Sequence, residues 1–169
     1  MRSIASVFIL GIILVLGSCR ADFETVASTG DLKFSKDTVY LDTVFTNIGS
    51  STYQLKVYNK SKNDINIPII QFEKGLNSKY RMTVDGQQGT SGKIFKDITL
   101  LAKDSLYIFI ETTASIADAN PTDFLYTDKI QFDSGANLQT VELVTLIKDA
   151  IFLYPQRFAD GTTETRPIG

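Results

Sequence analysis

Leu106-Tyr107-Ile108-Phe109-Ile110 decides the fold, because it alternates aliphatic with aromatic residues shortly after the polar turn Ala102-Lys103-Asp104. Branched and aromatic side chains of this kind favour a strand. Since both faces of the stretch are apolar, it is predicted to lie in the centre of a sheet and to be covered on both faces. A two-layer sandwich buries only one face of each sheet, so something is expected to cover Tyr107 and Phe109.

The rest of the chain extends this strand pattern in both directions. Short segments rich in Val, Ile, Tyr, Phe and Thr are interrupted by clusters of Gly, Asn, Asp, Ser or Lys, and no segment keeps a helical period. These segments cover residues 39–45, 53–57, 65–72, 80–84, 98–100, 126–132 and 138–147. The pattern predicts an antiparallel all-β sandwich, with 39–45 and 53–57 as neighbouring strands and with Pro68 at a bulge or an edge.

The alternation along each segment also predicts which side chains form the core. The inward phase contains Leu41, Leu55, Val57, Ile67, Leu106, Ile108, Ile110, Ile130 and Leu143. On the outward phase lie four aromatic residues, Tyr40, Tyr58, Tyr107 and Phe109. These four are the candidate interaction patch, since a contiguous exposed apolar surface usually marks a partner.

The first 18 residues are predicted to be a lipoprotein signal peptide. Met1-Arg2 supplies a positive start, and residues 4–16 form an apolar run of 13 residues. This length suits a signal-peptide core and is short of the ~20 residues that span a bilayer. Because the small residues Gly17 and Ser18 precede Cys19, this cysteine is predicted to be the lipidated N-terminus. The alternative is a short transmembrane anchor that stays attached.

The sequence divides into four parts. Residues 1–18 are the signal peptide; residues 19–30, mixed and polar, predict a flexible tether; residues 31–154 carry the strand pattern of the sandwich. Residues 155–169 contain Gly, Thr, Arg and Pro without an apolar period, which predicts a linker or a disordered tail. A lipid on Cys19 would place the chain in the cell envelope, with the membrane as its first partner.

Composition excludes several classes of function. The 17 basic and 19 acidic residues are spread without long runs of one sign, which argues against a nucleic-acid partner. The chain has no histidine, the commonest general base and transition-metal ligand near neutral pH, and its single cysteine allows neither an intrachain disulfide nor Cys-ligated zinc. No catalytic residue and no cofactor are predicted.

Scattered acids leave two weaker alternatives. Asp118, Asp123 and Asp128 carry oxygens that calcium prefers, but their spacing lacks the alternation of a compact loop site, so no metal site is predicted. A carboxylate-type hydrolase needs two acids about 5 to 9.5 Å apart in a cleft. With 19 acidic residues along the chain, among them Glu73, Glu111 and Glu142, some pair will be close by chance, which favours no particular pair.

Several pieces of the chain together resemble a known family. They are Thr46-Asn47-Ile48-Gly49-Ser50, Leu55-Lys56-Val57-Tyr58-Asn59, Ile65-Asn66-Ile67, Leu101-Ala102-Lys103-Asp104-Ser105-Leu106-Tyr107-Ile108, Asp128-Lys129-Ile130-Gln131-Phe132 and Val141-Glu142-Leu143. From about Leu32 to Asp149 the chain resembles immunoglobulin-like sandwiches of the major-sperm-protein and ASH type. This resemblance implies a Greek-key sandwich of about seven to nine strands.

The sequence is also similar to the N-terminal portion of Bacteroidota-type surface lipoproteins, in which such a sandwich precedes a right-handed parallel β-helix. The resemblance implies a non-catalytic accessory module. No β-helix follows before Gly169, which leaves open whether this is a fragment or a shorter relative. Asp22 and Glu24 resemble the acidic export signals of such lipoproteins, with Arg20 intervening, and the side of the outer membrane also stays open.

The sequence therefore predicts a lipid-anchored, non-enzymatic module of the cell envelope that serves as an adhesive or structural stalk or as an assembly domain. Its outward aromatic face is expected to pack against a downstream domain or a partner protein. The alternative is a carbohydrate-binding sandwich that uses exposed tyrosines to hold a glycan. A carboxylate-type hydrolase is the least favoured reading.

Overall fold

The computed structural model describes residues 24–119, 122, 124–150 and 154–165. The described residues form eleven strands and three short 3₁₀ turns. The strands are β1 (Val26–Ala27), β2 (Lys33–Phe34), β3 (Thr38–Tyr40), β4 (Val44–Phe45), β5 (Tyr53–Tyr58), β6 (Ile65–Phe72), β7 (Tyr80–Val84), β8 (Ile94–Leu100), β9 (Ser105–Thr112), β10 (Leu125–Phe132) and β11 (Gln139–Lys148). The seven strands from β5 onward have five or more residues each, and the four before them have two or three.

The strands form two sheets. One sheet has four strands in the order β2-β5-β9-β7, all antiparallel. The other has seven strands: β6, β10 and β11 form its centre, β8 pairs with β6, and the short strands β1, β3 and β4 pair in parallel with β6 or β11. The chain is thus an all-β, immunoglobulin-like β-sandwich, which confirms the predicted fold class.

The core lies between the two sheets and follows the predicted phase. All nine residues assigned to the interior are buried, at 5% exposure or less. The sequence did not single out the largest fully buried rings, which belong to Phe72, Tyr80, Phe95 and Phe132. Tyr80 is accommodated because its hydroxyl donates a hydrogen bond to the carbonyl oxygen of Tyr126.

Strand β9 is central, as predicted, but only one of its faces is covered. It pairs with β5 on one side and with β7 on the other. Leu106, Ile108 and Ile110 point into the core, whereas Tyr107 and Phe109 stay 37% and 42% exposed. The described residues do not cover the second face of β9, and its cover by a following domain or a partner stays a prediction.

Pro68 lies at a change of phase, as predicted, but the strand that contains it is not an edge. Ile67 and Ile70 are both buried, so the alternation of β6 slips by one residue between them. β6 pairs with β8 along one side, and on its other side with β1 at residues 65–66 and with β10 at residues 70–72. Pro68 lies between these two pairings. Because no neighbouring strand pairs with β6 on that side at this position, the lack of an N–H group in proline costs no hydrogen bond between strands.

Residues 39–45 and 53–57 are not neighbouring strands. β3 pairs with β11 in the seven-stranded sheet, whereas β5 belongs to the four-stranded sheet, so the two face each other across the core. The predicted single strand is also interrupted after Leu41. Val44 is buried and Phe45 is exposed, the reverse of the predicted phase.

Short structural elements occur within both of the predicted end segments. In the tether expected over residues 19–30, Val26 and Ala27 form β1 against β6, and Ser28 is buried. In the expected tail, Arg157 and Thr163 form a bridge that closes a small exposed hairpin. The signal peptide and Cys19 lie outside the described residues. No helix in the described ranges is long and apolar enough to cross a membrane.

Candidate functional site

The four aromatic residues of the predicted interaction patch are divided between the two sheets. Tyr58, Tyr107 and Phe109 lie on the outer face of the four-stranded sheet, on the adjacent strands β5 and β9. Tyr40 is 71% exposed but belongs to β3 in the other sheet. A single patch containing all four residues does not form, since two sheets of a sandwich present opposite outer faces.

Tyr58 is shielded by lysines. The Nζ of Lys60 lies 4.5 Å from the centroid of the Tyr58 ring, and the Nζ of Lys56 lies 5.3 Å from it. Lys56 also lies 4.9 Å from the centroid of Tyr107, and hydrogen bonding to the Tyr107 hydroxyl is the main factor that raises the pKa of Lys56. These cation–π contacts cover part of the Tyr58 ring, which is half-buried.

Tyr107 and Phe109 form the more exposed aromatic pair of this face, with Lys56 beside the ring of Tyr107. Their rings are nearly parallel, with an interplanar angle of 18° and centroids 6.3 Å apart. An aromatic side chain has a surface of about 150–250 Å². At their exposed fractions, the two side chains together present roughly 150 Å² of apolar surface. A standard protein interface buries about 800 Å² per partner, so this pair is too small to seat a protein alone.

A groove of about 350 Å³ runs beside Phe109 on the same outer face. Its floor is β7, one wall is formed by outward side chains of β9, and the other wall is the loop over residues 85–93. Side chains that line it are Arg81, Thr83, Gln88, Ser91, Phe109 and Glu111. Thr83 is directly opposite Phe109 in the β7–β9 register, which brings the aromatic pair to the edge of the groove.

Backbone hydrogen bonds hold the loop against β7. The N–H of Met82 donates to the carbonyl oxygen of Gly92 at 2.8 Å, and the N–H of Val84 donates to that of Gln87 at 3.1 Å. Gly89 packs so closely that a Cβ there would stand 2.6 Å from the ring of Phe95. The loop is therefore a fixed wall, and it occupies the side of β7 that would otherwise be a free sheet edge.

One end of the groove is closed by an ion pair. Arg81 donates from Nη2 and Nε to the same Glu111 oxygen at 2.8 and 3.1 Å, and from Nη1 to Thr113 Oγ1 at 2.7 Å. The other carboxylate oxygen of Glu111 accepts a hydrogen bond from the Thr52 hydroxyl. This bond, followed by the contacts with Arg81, lowers the pKa of Glu111, so the carboxylate is charged at neutral pH and balances the guanidinium.

The groove residues were not predicted from the sequence. Arg81 lies at an outward position of the predicted strand 80–84, and Glu111 directly follows the predicted strand 106–110, but only the register of β7 against β9 makes them direct neighbours. The loop over residues 85–92 carries only the sequence pattern of a glycine-rich connection. No sequence pattern indicates that such a loop folds back along its own strand, because the bonds from Met82 and Val84 depend on tertiary register.

The acids considered for metal binding or hydrolysis have other partners. Asp118 forms an ion pair with Lys79 at 2.8 Å and accepts two bonds from Ser115, and Asp123 lies outside the described residues. Asp128 is buried and accepts the backbone N–H groups of Lys74 and Lys129. Within the described ranges, no group of three His, Cys, Asp or Glu residues could hold a metal ion.

No protein-family model matches the chain, and no curated protein matches it. Among solved structures, it is similar to the E. coli chaperone DraB, with 16% identity and a TM-score of 0.45 over 72% of this chain and 57% of the chaperone. The ASH/PapD-like domain 7 of human CEP192 is similar at 12% identity and a TM-score of 0.43, covering 78% of this chain and 94% of that domain.

A family 123 glycoside hydrolase from Clostridium perfringens is similar at 10% identity and a TM-score of 0.47, covering 71% of this chain and 27% of the hydrolase. The chain thus spans little more than half of the chaperone and about a quarter of the hydrolase. At such identities and TM-scores, none of the three likenesses carries an inference about activity. A relationship to Bacteroidota-type surface lipoproteins that continue into a β-helix stays a prediction.

Proposed function

We propose that the chain is a lipid-anchored, non-enzymatic module of the cell envelope that acts as a structural and adhesive joint. The observation that carries the proposal is that the chain enters and leaves the sandwich at opposite ends. β1 enters the sandwich beside the turn over residues 59–64, since Val26 donates to the carbonyl oxygen of Asp64. β11 leaves at Lys148, beside Phe45, at the opposite end of the sandwich.

The separation of these ends suits a spacer. β11 has ten residues at ~3.3 Å each, so entry and exit are about 30 Å apart. Six residues lie between Cys19 and Val26, and fully extended they reach about 20 Å. A lipid on Cys19 would then keep the turn over residues 59–64 near the bilayer and hold the exit, where a following domain would continue, away from it.

The ion pairs of two glutamates support a non-enzymatic role. Glu111 is paired with Arg81, and Glu142 is paired with Lys129 at 3.2 Å. Acids neutralised in this way are poor general bases, and the chain has no histidine to replace them. Residence in the outer membrane is part of the same proposal and depends on the processing of residues 1–18.

The joint is tested by distance measurements on the lipidated protein in vesicles. Lys62→Cys lies in the turn near the entry, and Leu76→Cys lies in the 3₁₀ turn Gly75–Asn77 at the opposite end, so each takes one dye. Energy transfer to acceptors in the lipid headgroups should be strong from position 62 and weak from position 76. Equal transfer from both positions would contradict the joint.

Cys19→Ala is the control for anchoring in the same experiment. This variant should leave the membrane fraction, because the only cysteine that could carry lipid is removed. An unmodified Cys19 or an intact Met1 in the mass spectrum of the wild-type protein would contradict lipid anchoring.

A second candidate function, carbohydrate binding, is favoured by the parallel exposed rings of Tyr107 and Phe109. Flat rings that stay accessible on a rigid sheet are suited to stack against a sugar. Glycan binding would give the adhesive part of the proposed role a ligand. A glycan array separates it from a purely structural joint, which would bind no oligosaccharide.

A further inference from the structure

The groove beside Phe109 has the size of a small-ligand site. Its volume of about 350 Å³ lies within the range of roughly 300–1,000 Å³ that is usual for such sites. The aromatic pair beside it is far smaller than a protein interface. An oligosaccharide of a few units fits these dimensions, whereas a folded protein partner would need surface well beyond the groove.

The charge of the groove favours an uncharged ligand. Arg81 and Glu111 neutralise each other, and Thr83, Gln88 and Ser91 add only neutral polar groups. An anionic ligand would meet the Glu111 carboxylate, and a cationic one would meet Arg81. A neutral ligand with many hydroxyl groups finds both donors and acceptors there without leaving a charge uncompensated.

The ion pair keeps hydrogen-bonding capacity for such a ligand. A guanidinium has five N–H groups, and the bonds from Arg81 to Glu111 and Thr113 use three of them. Two N–H groups lie outside these bonds. Because Glu111 fixes the guanidinium in place, the remaining donors are held in a defined direction, which lowers the entropy cost of ligand binding.

The backbone of the groove disfavours an extended peptide. Peptides commonly add a strand to a free sheet edge. Here the N–H groups of Met82 and Val84 already donate to Gly92 and Gln87 of the loop, so β7 does not offer these donors. A peptide that bound here could not form the main-chain hydrogen bonds with β7 on which the affinity of strand addition depends. A sugar does not need these hydrogen bonds.

Resting on the glycan-binding candidate above, we infer that this groove is a binding site for uncharged oligosaccharides. A sugar ring stacks on Phe109 and Tyr107 through its apolar C–H face. Its hydroxyl groups then bond to the Arg81–Glu111 pair and to Thr83, Gln88 and Ser91. Phe109 and Arg81 are the residues on which the affinity mainly depends.

The test uses the full lipidated chain in detergent micelles and an array of short oligosaccharides. The probes are neutral hexose and N-acetylhexosamine oligomers, with sulfated and uronic-acid oligomers of equal length for comparison. Neutral oligomers should bind. Phe109→Ser should weaken the best one by at least about tenfold, which corresponds to ~1.4 kcal/mol.

Tyr40→Ser is the matched control, because it removes an aromatic ring that is more exposed but lies on the other sheet. It should leave binding unchanged. Arg81→Lys is a second variant. It keeps the positive charge and the aromatic pair but loses the planar guanidinium, whose N–H donors point in fixed directions, so it should also weaken binding. Unchanged urea midpoints establish that each variant is folded.

Three results would overturn the inference: no neutral oligomer binds, charged oligomers bind better than neutral ones, or Phe109→Ser and Tyr40→Ser have equal effects. The distance measurements on Lys62→Cys and Leu76→Cys do not involve the groove. A structural joint that binds no glycan is therefore distinguishable from failure of both proposals.

Discussion

Ser28 and Asp133 are joined by a buried hydrogen bond, in which the Ser28 hydroxyl donates to Asp133 Oδ2 at 2.5 Å across 105 residues of sequence. Asp133 begins the turn between β10 and β11 and has a positive φ of 63°. Asn137, in the same turn, donates to the carbonyl oxygen of Ser28 at 3.3 Å. Ser28, which directly follows β1, is thus fastened to the hairpin at the end where β1 enters the sandwich.

Ser28→Ala should lower the free energy of unfolding by about 1–3 kcal/mol, because a buried carboxylate loses a donor that water does not replace. Thr29→Ala is the neighbouring control. Thr29 is exposed and bonds only the nearby Asp31, so its removal should cost less than about 0.5 kcal/mol. Urea unfolding of both variants gives the comparison, and equal losses would mean that β1 is not fastened through Ser28.

Ile108→Ala should cost about 2–5 kcal/mol, since Ile108 is fully buried in the central strand and its truncation leaves a cavity. Leu101→Ala, in the exposed turn before β9, is the control and should stay within about 0.5 kcal/mol. A loss below about 0.5 kcal/mol for Ile108→Ala would contradict the assigned phase of β9.

Asp118 should make stability depend on pH between about 4 and about 2. Its pKa is lowered from 3.8 to about 2, chiefly by its bond with Lys79 and then by the backbone N–H of Ser115. A lowered folded pKa contributes stability above the unfolded value, and this contribution is lost as the pH falls toward 2. The pair is partly exposed, so the contribution should be about 1 kcal/mol or less.

Asp118→Asn measures this dependence. The variant should be less stable than wild type at pH 7, and the difference should shrink as the pH falls from 4 toward 2 and vanish below pH 2, where Asp118 is protonated in both the folded and the unfolded state. Lys79→Gln should reproduce the loss at pH 7. A difference between wild type and Asp118→Asn that stays constant from pH 7 to pH 2 would contradict the ion pair as its cause.

Gly89→Ala should be much more damaging than Gly86→Ala, although both glycines have positive φ in one loop. A Cβ on Gly89 would meet the carbonyl oxygen of Ile94 and the ring of Phe95 at 2.6 Å, whereas Gly86 faces open space. The expected costs are more than about 2 kcal/mol and about 1 kcal/mol, respectively. Similar urea midpoints for the two variants would mean that the loop yields to the extra methyl group.

Period-two alternation predicted the fold class and the buried residues, because it reports directly on which side chains face the core. It correctly assigned Ile108 and Leu143 to the interior from opposite sheets. It could not assign strands to sheets. Tyr40 was therefore grouped with Tyr107, although the chain crosses from one sheet to the other between β2 and β3.

The groove could not be predicted for a related reason. Arg81 and Glu111 are 30 residues apart, and only the register of β7 against β9 makes them neighbours. Register depends on where turns begin, and the turn over residues 85–93 has no standard length or motif. The sequence therefore showed Arg81 and Glu111 as two unrelated polar positions and gave no sign that they belong to one site.

Asp97 marks a level of the sheet at which the alternation of buried and exposed residues changes phase in two paired strands at once. It lies opposite Pro68 in the β6–β8 register, and both strands change phase there: Ile67 and Ile98 are buried on one side of the slip, and Ile70 and Phe95 on the other. Asp97 has a positive φ of 53° and accepts a bond from Asn66 at 3.3 Å. Both slips occur at the same level, so the pairing of β6 with β8 continues without a shift.

Asp97→Val should therefore lower the free energy of unfolding by about 1–3 kcal/mol, because a branched residue resists positive φ. Asp97→Asn should change it by less than about 0.5 kcal/mol, since asparagine tolerates the left-handed region and can keep the bond with Asn66. Thr99→Val, at an exposed outward position of β8, controls for adding a branched apolar residue to this strand. If Asp97→Val and Thr99→Val are equally stable in urea, the conformation of Asp97 is not what keeps the two strands in register.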